Sequence, residues 1–248
     1  MTPLPLLTAH QLSLHRPGRT LVEALDLSLH PGTVLGILGP NGAGKSSLLA
    51  ALAGLAIPAR GQVTLDSQIL TDMPPLARAQ HIALLPQDDS GGYFGNVADY
   101  VALGSFPLAG VRADITAMLA EWELSAFAQR PLATLSGGER QRARLAQVAA
   151  QQAPVVLLDE PLTHLDPAHQ AALLRWARDQ ATRGHALALT LHDPNWAACH
   201  CDQLLFLHGD GRWQLGTPAT LLTASALEGL YGAGTAALWA RGAPAQPV

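Results

Sequence analysis

No hydrophobic run in this chain approaches the ~18 residues that a membrane-spanning helix requires. Charge is sparse, at 14% of 248 residues, and has no basic excess: the formal net charge is -4 and the isoelectric point about 6.2. Nucleic-acid binders usually carry a basic footprint, so no nucleic-acid partner is expected. Cysteine is limited to Cys199 and Cys201, which flank His200, with His192 and Asp193 the only further ligands nearby. That set is read as two buried or half-buried thiols in a reducing compartment rather than a metal site. The opening residues lack a charged stretch followed by an apolar one. There are no internal repeats and no coiled-coil heptads. These absences lead us to expect a soluble, cytosolic chain that would need another protein to anchor it at a membrane. The 48% hydrophobic content supplies a sizeable core, enough for one large domain or one domain with a sub-lobe.

The strongest positive feature is Gly39-Pro40-Asn41-Gly42-Ala43-Gly44-Lys45-Ser46, which fits the phosphate-cradling pattern G-x-x-x-x-G-K-[ST]. The apolar run Val34, Leu35, Ile37, Leu38 before it suits a buried strand, and Ser47 to Ala53 behind it suits a helix. Glycines let successive backbone N–H groups converge on phosphate oxygens, and the helix N-terminus adds its positive end. Lys45 is placed to reach the β- and γ-phosphates, and Ser46 to offer a hydroxyl to Mg²⁺. The chain is therefore expected to bind a nucleoside triphosphate.

Around this loop the pattern alternates between strands and helices, which argues for an α/β sheet. Leu6 to Leu14 and Leu21 to Leu29 alternate apolar and polar residues, as half-buried antiparallel strands do. Gly61 to Leu65, Ile82 to Leu85, Pro154 to Leu158 and Ala186 to Leu191 read as further strands. Pro74-Pro75 opens a short helix, Gln170 to Arg183 reads as an amphipathic helix ended by Gly184, and Leu204 to Leu215 as a hairpin. Asn96 to Gln152 is helical throughout and reads as an inserted lobe.

Val155-Val156-Leu157-Leu158-Asp159-Glu160 is an apolar strand ending in two carboxylates. Asp159 fits the role of holding Mg²⁺, directly or through water, and Glu160 that of polarising an attacking water. Leu135-Ser136-Gly137-Gly138-Glu139-Arg140-Gln141 offers a second anion-binding helix start, with Ser136 as N-cap. This segment resembles the signature of the ABC transporter ATPases almost letter for letter, and the resemblance covers nearly the whole chain. The order of motifs also agrees: phosphate loop, glutamine loop, signature, acidic strand, histidine.

The resemblance implies a fold and a set of roles. The fold is α/β: a P-loop NTPase (RecA-like) core sheet, an N-terminal antiparallel β subdomain and an inserted α-helical subdomain. A single domain would span about 1–240, with the helical part at about 88–152 and a frayed tail at 241–248. Gln87 corresponds to the glutamine that contacts Mg²⁺ and water, and His192 to the histidine that touches the γ-phosphate. Glu160, His192, Gln87 and Lys45 form the implied catalytic set, and Ser46, Gln87 and Asp159 the implied metal set. ATP would lie on Gly39 to Ser47 of one copy and on Ser136, Gly137, Gly138 and Glu139 of another. Thr163 to Asp166 resembles the loop that links the paired sites. The family's usual adenine-stacking aromatic is missing, and Arg16 or His15 stands in its place.

The implied partners are a second copy of the chain, two permease subunits and a periplasmic or lipoprotein binding protein. The expected location is the cytoplasmic membrane face. Tyr100-Val101-Ala102-Leu103-Gly104 followed by Pro107, the ending Gly216-Thr217-Pro218 to Gly232, and His164 to Gln170 resemble importers of iron-siderophores, haem and vitamin B12. Tyr93 and Phe94 are candidate exposed aromatics for a permease groove. An amino-acid importer or an exporter is the alternative. ABC ATPases of DNA repair or translation usually have two cassettes, coiled coils or basic tails, which this sequence lacks.

Overall fold

A computed structural model describes residues 4–87, 92–108 and 113–237; the expected tail at 241–248 lies outside them. Strands β1 (Leu7–Arg16), β2 (Arg19–Leu29), β4 (Arg60–Leu65) and β5 (Gln68–Ile69) form an antiparallel sheet in the order β2-β1-β4-β5. The second sheet is built on β3 (Val34–Leu38), β6 (Ile82–Leu85), β7 (Val155–Leu158), β8 (Ala186–Thr190), β9 (Gln203–Leu207) and β10 (Trp213–Gly216). Its order is β10-β9-β3-β8-β7-β6, parallel except for β10.

The inner strands β3, β7 and β8 are buried along their whole length. This explains their unbroken apolar sequences, because a parallel sheet is covered on both faces. Alternate residues point to opposite cores. Val34, Leu38, Val156, Leu158, Leu187 and Leu189 face the helical side. Leu35, Ile37, Val155, Leu157, Ala186 and Ala188 face α1 (Lys45–Leu52) and the antiparallel sheet.

Between β6 and β7 the chain runs through α3 (Val97–Ala102), α4 (Ile115–Glu121) and α5 (Gly137–Ala150). Ahead of them, α2 (Pro75–His81) starts at the expected proline pair. The helix expected from Gln170 begins earlier, as α6 (Pro167–Thr182). Asp166 caps it, accepting from the His169 N–H at 2.9 Å, and proline occupies its first position, where no N–H is needed. Beyond β8 come α7 (Pro194–His200), α8 (Pro218–Leu221) and α9 (Ala224–Tyr231).

Two expectations about exposure are corrected. Phe94 is 95% exposed, but Tyr93 turns inward onto Tyr100, with ring centroids 5.2 Å apart. Cys201 is buried, whereas Cys199 is exposed.

Candidate active site

The phosphate loop leaves β3 at its C-terminal end and runs into α1. A Cβ on Gly39 would collide with the Leu207 carbonyl, so only glycine fits there. Gly44 caps α1 at φ 102, a left-handed conformation that glycine adopts without strain. No side chain caps this helix start, so its first N–H groups remain available to an anion.

The loop opens onto a cleft of about 370 Å³ lined by Arg16, Asn41, Gly42, Ala43, Gly44, Lys45, Ser46, Ser47, Gln87, Glu160 and His192. The fold thus brings together residues spread from position 16 to 192. Lys45 is only 5% exposed. Its Nζ donates to the Gly39 carbonyl at 2.7 Å and the Pro40 carbonyl at 3.3 Å. Burial lowers its pKa from the ordinary lysine value, and the carboxylates of Glu160 and Asp159 partly oppose the shift. Ser46 Oγ donates to Gln87 Oε1 at 3.4 Å, which joins the phosphate loop to the glutamine segment.

The acidic strand end is held by a residue that the sequence reading missed. The Thr190 hydroxyl, buried at the end of β8, donates to Asp159 Oδ1 at 3.0 Å and accepts from the Glu160 N–H at 2.5 Å. Glu160 sits at φ 47, which turns its side chain out of the strand toward His192. His192 Nε2 lies 3.1 Å from Glu160 Oε1, with Glu160 18% and His192 50% exposed. A carboxylate held on one side and open on the other can accept a proton from water in the cleft.

Magnesium would meet the Ser46 hydroxyl and the Gln87 amide oxygen in the cleft, whereas the predicted ligand Asp159 is 4% exposed, does not line the cleft and has its Oδ1 taken by Thr190. Such hard donors suit this ion, which also keeps waters and takes phosphate oxygens. Among the described residues, no three His, Cys, Asp or Glu side chains group to hold a metal by themselves.

The two adenine candidates separate. His15 Nε2 lies 3.3 Å from Glu23 Oε2, outside the cleft lining, whereas Arg16 lines the cleft and donates to Ser47 Oγ at 3.3 Å. An adjoining hollow, shared by Arg16, Ser46 and Ser47, is walled by Leu14, His15, Ala56 and Ile57.

Ser136 to Glu139 do not line the cleft. They open α5 in a reciprocal cap, with Glu139 N–H donating to Ser136 Oγ at 3.3 Å and Ser136 N–H to Glu139 Oε2 at 2.8 Å. The Ser136-x-x-Glu139 spacing carries this cap in the sequence, although only the serine half was read there. His164 lies beside the two glycines, its ring near Gly137 and its carbonyl near Gly138.

Further along α5, Gln141 Nε2 donates to the Pro161 carbonyl at 2.9 Å. The buried Arg144 donates to Gln141 Oε1 at 3.0 Å, to the Gln87 carbonyl at 3.5 Å and to the Pro86 carbonyl. Helix α5 is thus fastened to the backbone at Pro161, just after Glu160, and at Pro86 and Gln87, just after β6.

Residues 22–163, covering the phosphate loop, the signature and the acidic strand, match the ABC transporter family. The chain belongs to the ABC transporter family. As an ABC ATP-binding subunit it is an ATPase that drives transport. It is 45% identical over 236 residues to a hemin import ATP-binding protein, HmuV, of Pseudomonas aeruginosa, covering 92% of each chain. A HmuV protein of Nocardia farcinica is 41% identical over 221 residues, covering 87% of this chain and 77% of that one. An inward-facing metal-chelate-type ABC transporter superimposes with a TM-score of 0.77 at 26% identity, over 92% of this chain and 89% of that one. An ATP-binding subunit of an ABC transporter superimposes with a TM-score of 0.80 at 24% identity, over 95% and 98%, a likeness of fold. No helix among the described residues is long and apolar enough to cross a membrane.

Proposed function

We propose that this chain powers haem import, working as a pair of identical ATPase subunits on the cytoplasmic face of two permease subunits fed by a periplasmic or lipoprotein binding protein. The observation that carries the cargo is the 45% identity to a hemin import ATP-binding protein over 92% of the chain. The observation that favours pairing is the absence of Ser136 to Glu139 from the cleft. An uncovered phosphate loop and an unused anion-binding helix start in one chain complement each other head to tail.

In this reading Lys45 exchanges its two loop carbonyls for phosphate oxygens, and the N–H groups at the start of α1 take up further negative charge. Magnesium, when bound at Ser46 and Gln87, neutralises charge on the phosphates. Glu160 accepts a proton from the attacking water as that oxygen bonds to the terminal phosphorus and the bond to the bridging oxygen breaks. His192 holds the Glu160 carboxylate from the solvent side. The Gly137 and Gly138 N–H groups of the second copy complete the phosphate shell. Arg16 holds the nucleotide's base end in place of an aromatic ring. Arg144, on α5, carries movement at Gln87 into the helical lobe.

The test is haem uptake in a strain deleted for this gene. Complementation with the wild-type chain should restore uptake, and complementation with Glu160→Gln should not. Restored uptake of a ferric siderophore or cobalamin without haem would reassign the cargo.

A further inference from the structure

His169, in the first turn of α6, makes contacts that the catalytic scheme does not use. Its Nδ1 lies 2.9 Å from Asp166 Oδ2, and its Nε2 lies 2.8 Å from Arg142 Nη1 on α5. The ionised carboxylate only accepts and the guanidinium only donates. The hydrogen is therefore on Nδ1, Nε2 presents its lone pair to Arg142, and the ring is neutral. Arg142 depends on this arrangement. Its Nε is buried without a partner, and His169 is the hydrogen-bond acceptor it has among the described residues. A third group faces the same nitrogen: Glu123 Oε2 lies 3.4 Å from Nε2, on an exposed side chain just after α4. With the proton on Nδ1 alone, no hydrogen is available to Glu123.

The position of this contact matters. Asp166 ends the loop that begins at Thr163, in which His164 packs beside Gly137 and Gly138. Arg142 lies one turn along the helix those glycines open. His169 is thus one tie between that loop and the signature helix, beside the His164–glycine packing and the Gln141–Pro161 hydrogen bond.

We propose that His169 is a positioning residue of the paired ATP site: its neutral ring holds the signature helix against the 163–166 loop through Arg142, and protonation exchanges Arg142 for Glu123 and releases that hold. The proposal rests on the head-to-tail pairing argued above. It predicts that acid weakens closure of the pair without weakening capture of ATP by one copy.

The experiment uses the full chain in a Glu160→Gln background and measures ATP-driven dimerisation by sedimentation. It is run at mildly alkaline and at mildly acidic pH. His169→Lys places a permanent cation against Arg142 and should raise the ATP needed for half-maximal dimerisation roughly tenfold at both pH values, the scale of one charge-assisted hydrogen bond. The unsubstituted His169 should move the same way on acidification only. His169→Gln offers Arg142 a neutral acceptor and should not respond to the pH step. ATP affinity of the monomer should be the same in all of them.

Wild-type dimerisation by His169→Lys, or an undiminished acid response in His169→Gln, overturns the proposal alone. If Ser136→Arg in the same background still dimerises with ATP, or if the Glu160→Gln chain never does, the pairing itself is wrong and the proposal goes with it. Should the lysine variant fail to fold, the pH response of the glutamine variant decides.

Discussion

Replacing Lys45 by methionine should separate the phosphate loop's affinity for ATP from its contribution to stability. In the structure Lys45 is 5% exposed, and its ammonium donates to the carbonyls of Gly39 and Pro40. Losing charged hydrogen bonds of this kind costs about 1.5–3 kcal/mol. Desolvation of the ammonium acts in the opposite direction. A lysine pKa lowered by folding means that the unfolded chain holds the proton more tightly. The charged group therefore subtracts from stability at neutral pH, and the penalty fades only as pH rises toward the unfolded value of ~10.4. Methionine keeps most of the apolar stem and removes the charge, so the ATP-free melting temperature of Lys45→Met should match or exceed that of the wild type.

The ligand-bound state should behave oppositely. At a hundredfold excess over Kd a ligand adds about 2.7 kcal/mol, and for a chain of this size 1 kcal/mol moves Tm by about 2–4 °C. Wild-type protein should thus gain roughly 5–10 °C with saturating Mg-ATP, read by differential scanning fluorimetry, and Lys45→Met should gain almost nothing. A full ATP-induced shift in the variant would refute the assignment of Lys45 to the phosphates. An ATP-free melt several degrees below wild type would refute the argument that burial of the charge is unfavourable.

Glu160→Gln should bind ATP with wild-type affinity and hydrolyse it at least a hundredfold more slowly, as removal of a general base does; phosphate release assays would detect residual turnover. Arg16→Ala should weaken ATP affinity while His15→Ala leaves it unchanged, since only Arg16 lines the cleft; fluorescent-nucleotide titration compares the two. Burial pushes the Cys201 thiol up to about 12, whereas Cys199 is exposed, so a maleimide at mildly alkaline pH should label one thiol in the folded chain and two in urea. Mass spectrometry gives the stoichiometry, and two labels on folded protein would contradict the packing of Cys201 against Gly36.

The parts of the fold that were legible in the sequence are those in which one physical demand dominates. The strands at 34–38, 155–158 and 186–190 are apolar at every position because both faces of the sheet are covered, and such runs stand out unaided. Gly39 and Gly44 were legible for a similar reason, since a close carbonyl and a left-handed φ each leave one residue type acceptable. Thr190 was not legible, because its partners are 30 and 31 residues away in sequence and a single threonine ending a strand has no pattern. Arg144 is similar: it meets Pro86 and Gln87, 58 and 57 residues away. Tyr93 was read together with Phe94 as an exposed aromatic, but its ring packing onto Tyr100 depends on how the chain enters α3. The start of α6 had a local signal in Asp166-Pro167, a cap followed by a proline, that outweighs the amphipathic periodicity starting later.

The sheet order has a consequence for synthesis. The strand that carries the phosphate loop, residues 34–38, lies between strands 186–190 and 203–207 and pairs with nothing nearer in sequence. The antiparallel sheet, by contrast, is complete by residue 69. A nascent chain emerging from the ribosome can therefore finish this small antiparallel sheet early, yet holds the apolar 34–38 strand without either neighbour until residues 186–207 have been made. A chain cut short before residue 186 leaves this apolar strand without its parallel neighbours, the kind of unpaired edge that invites aggregation.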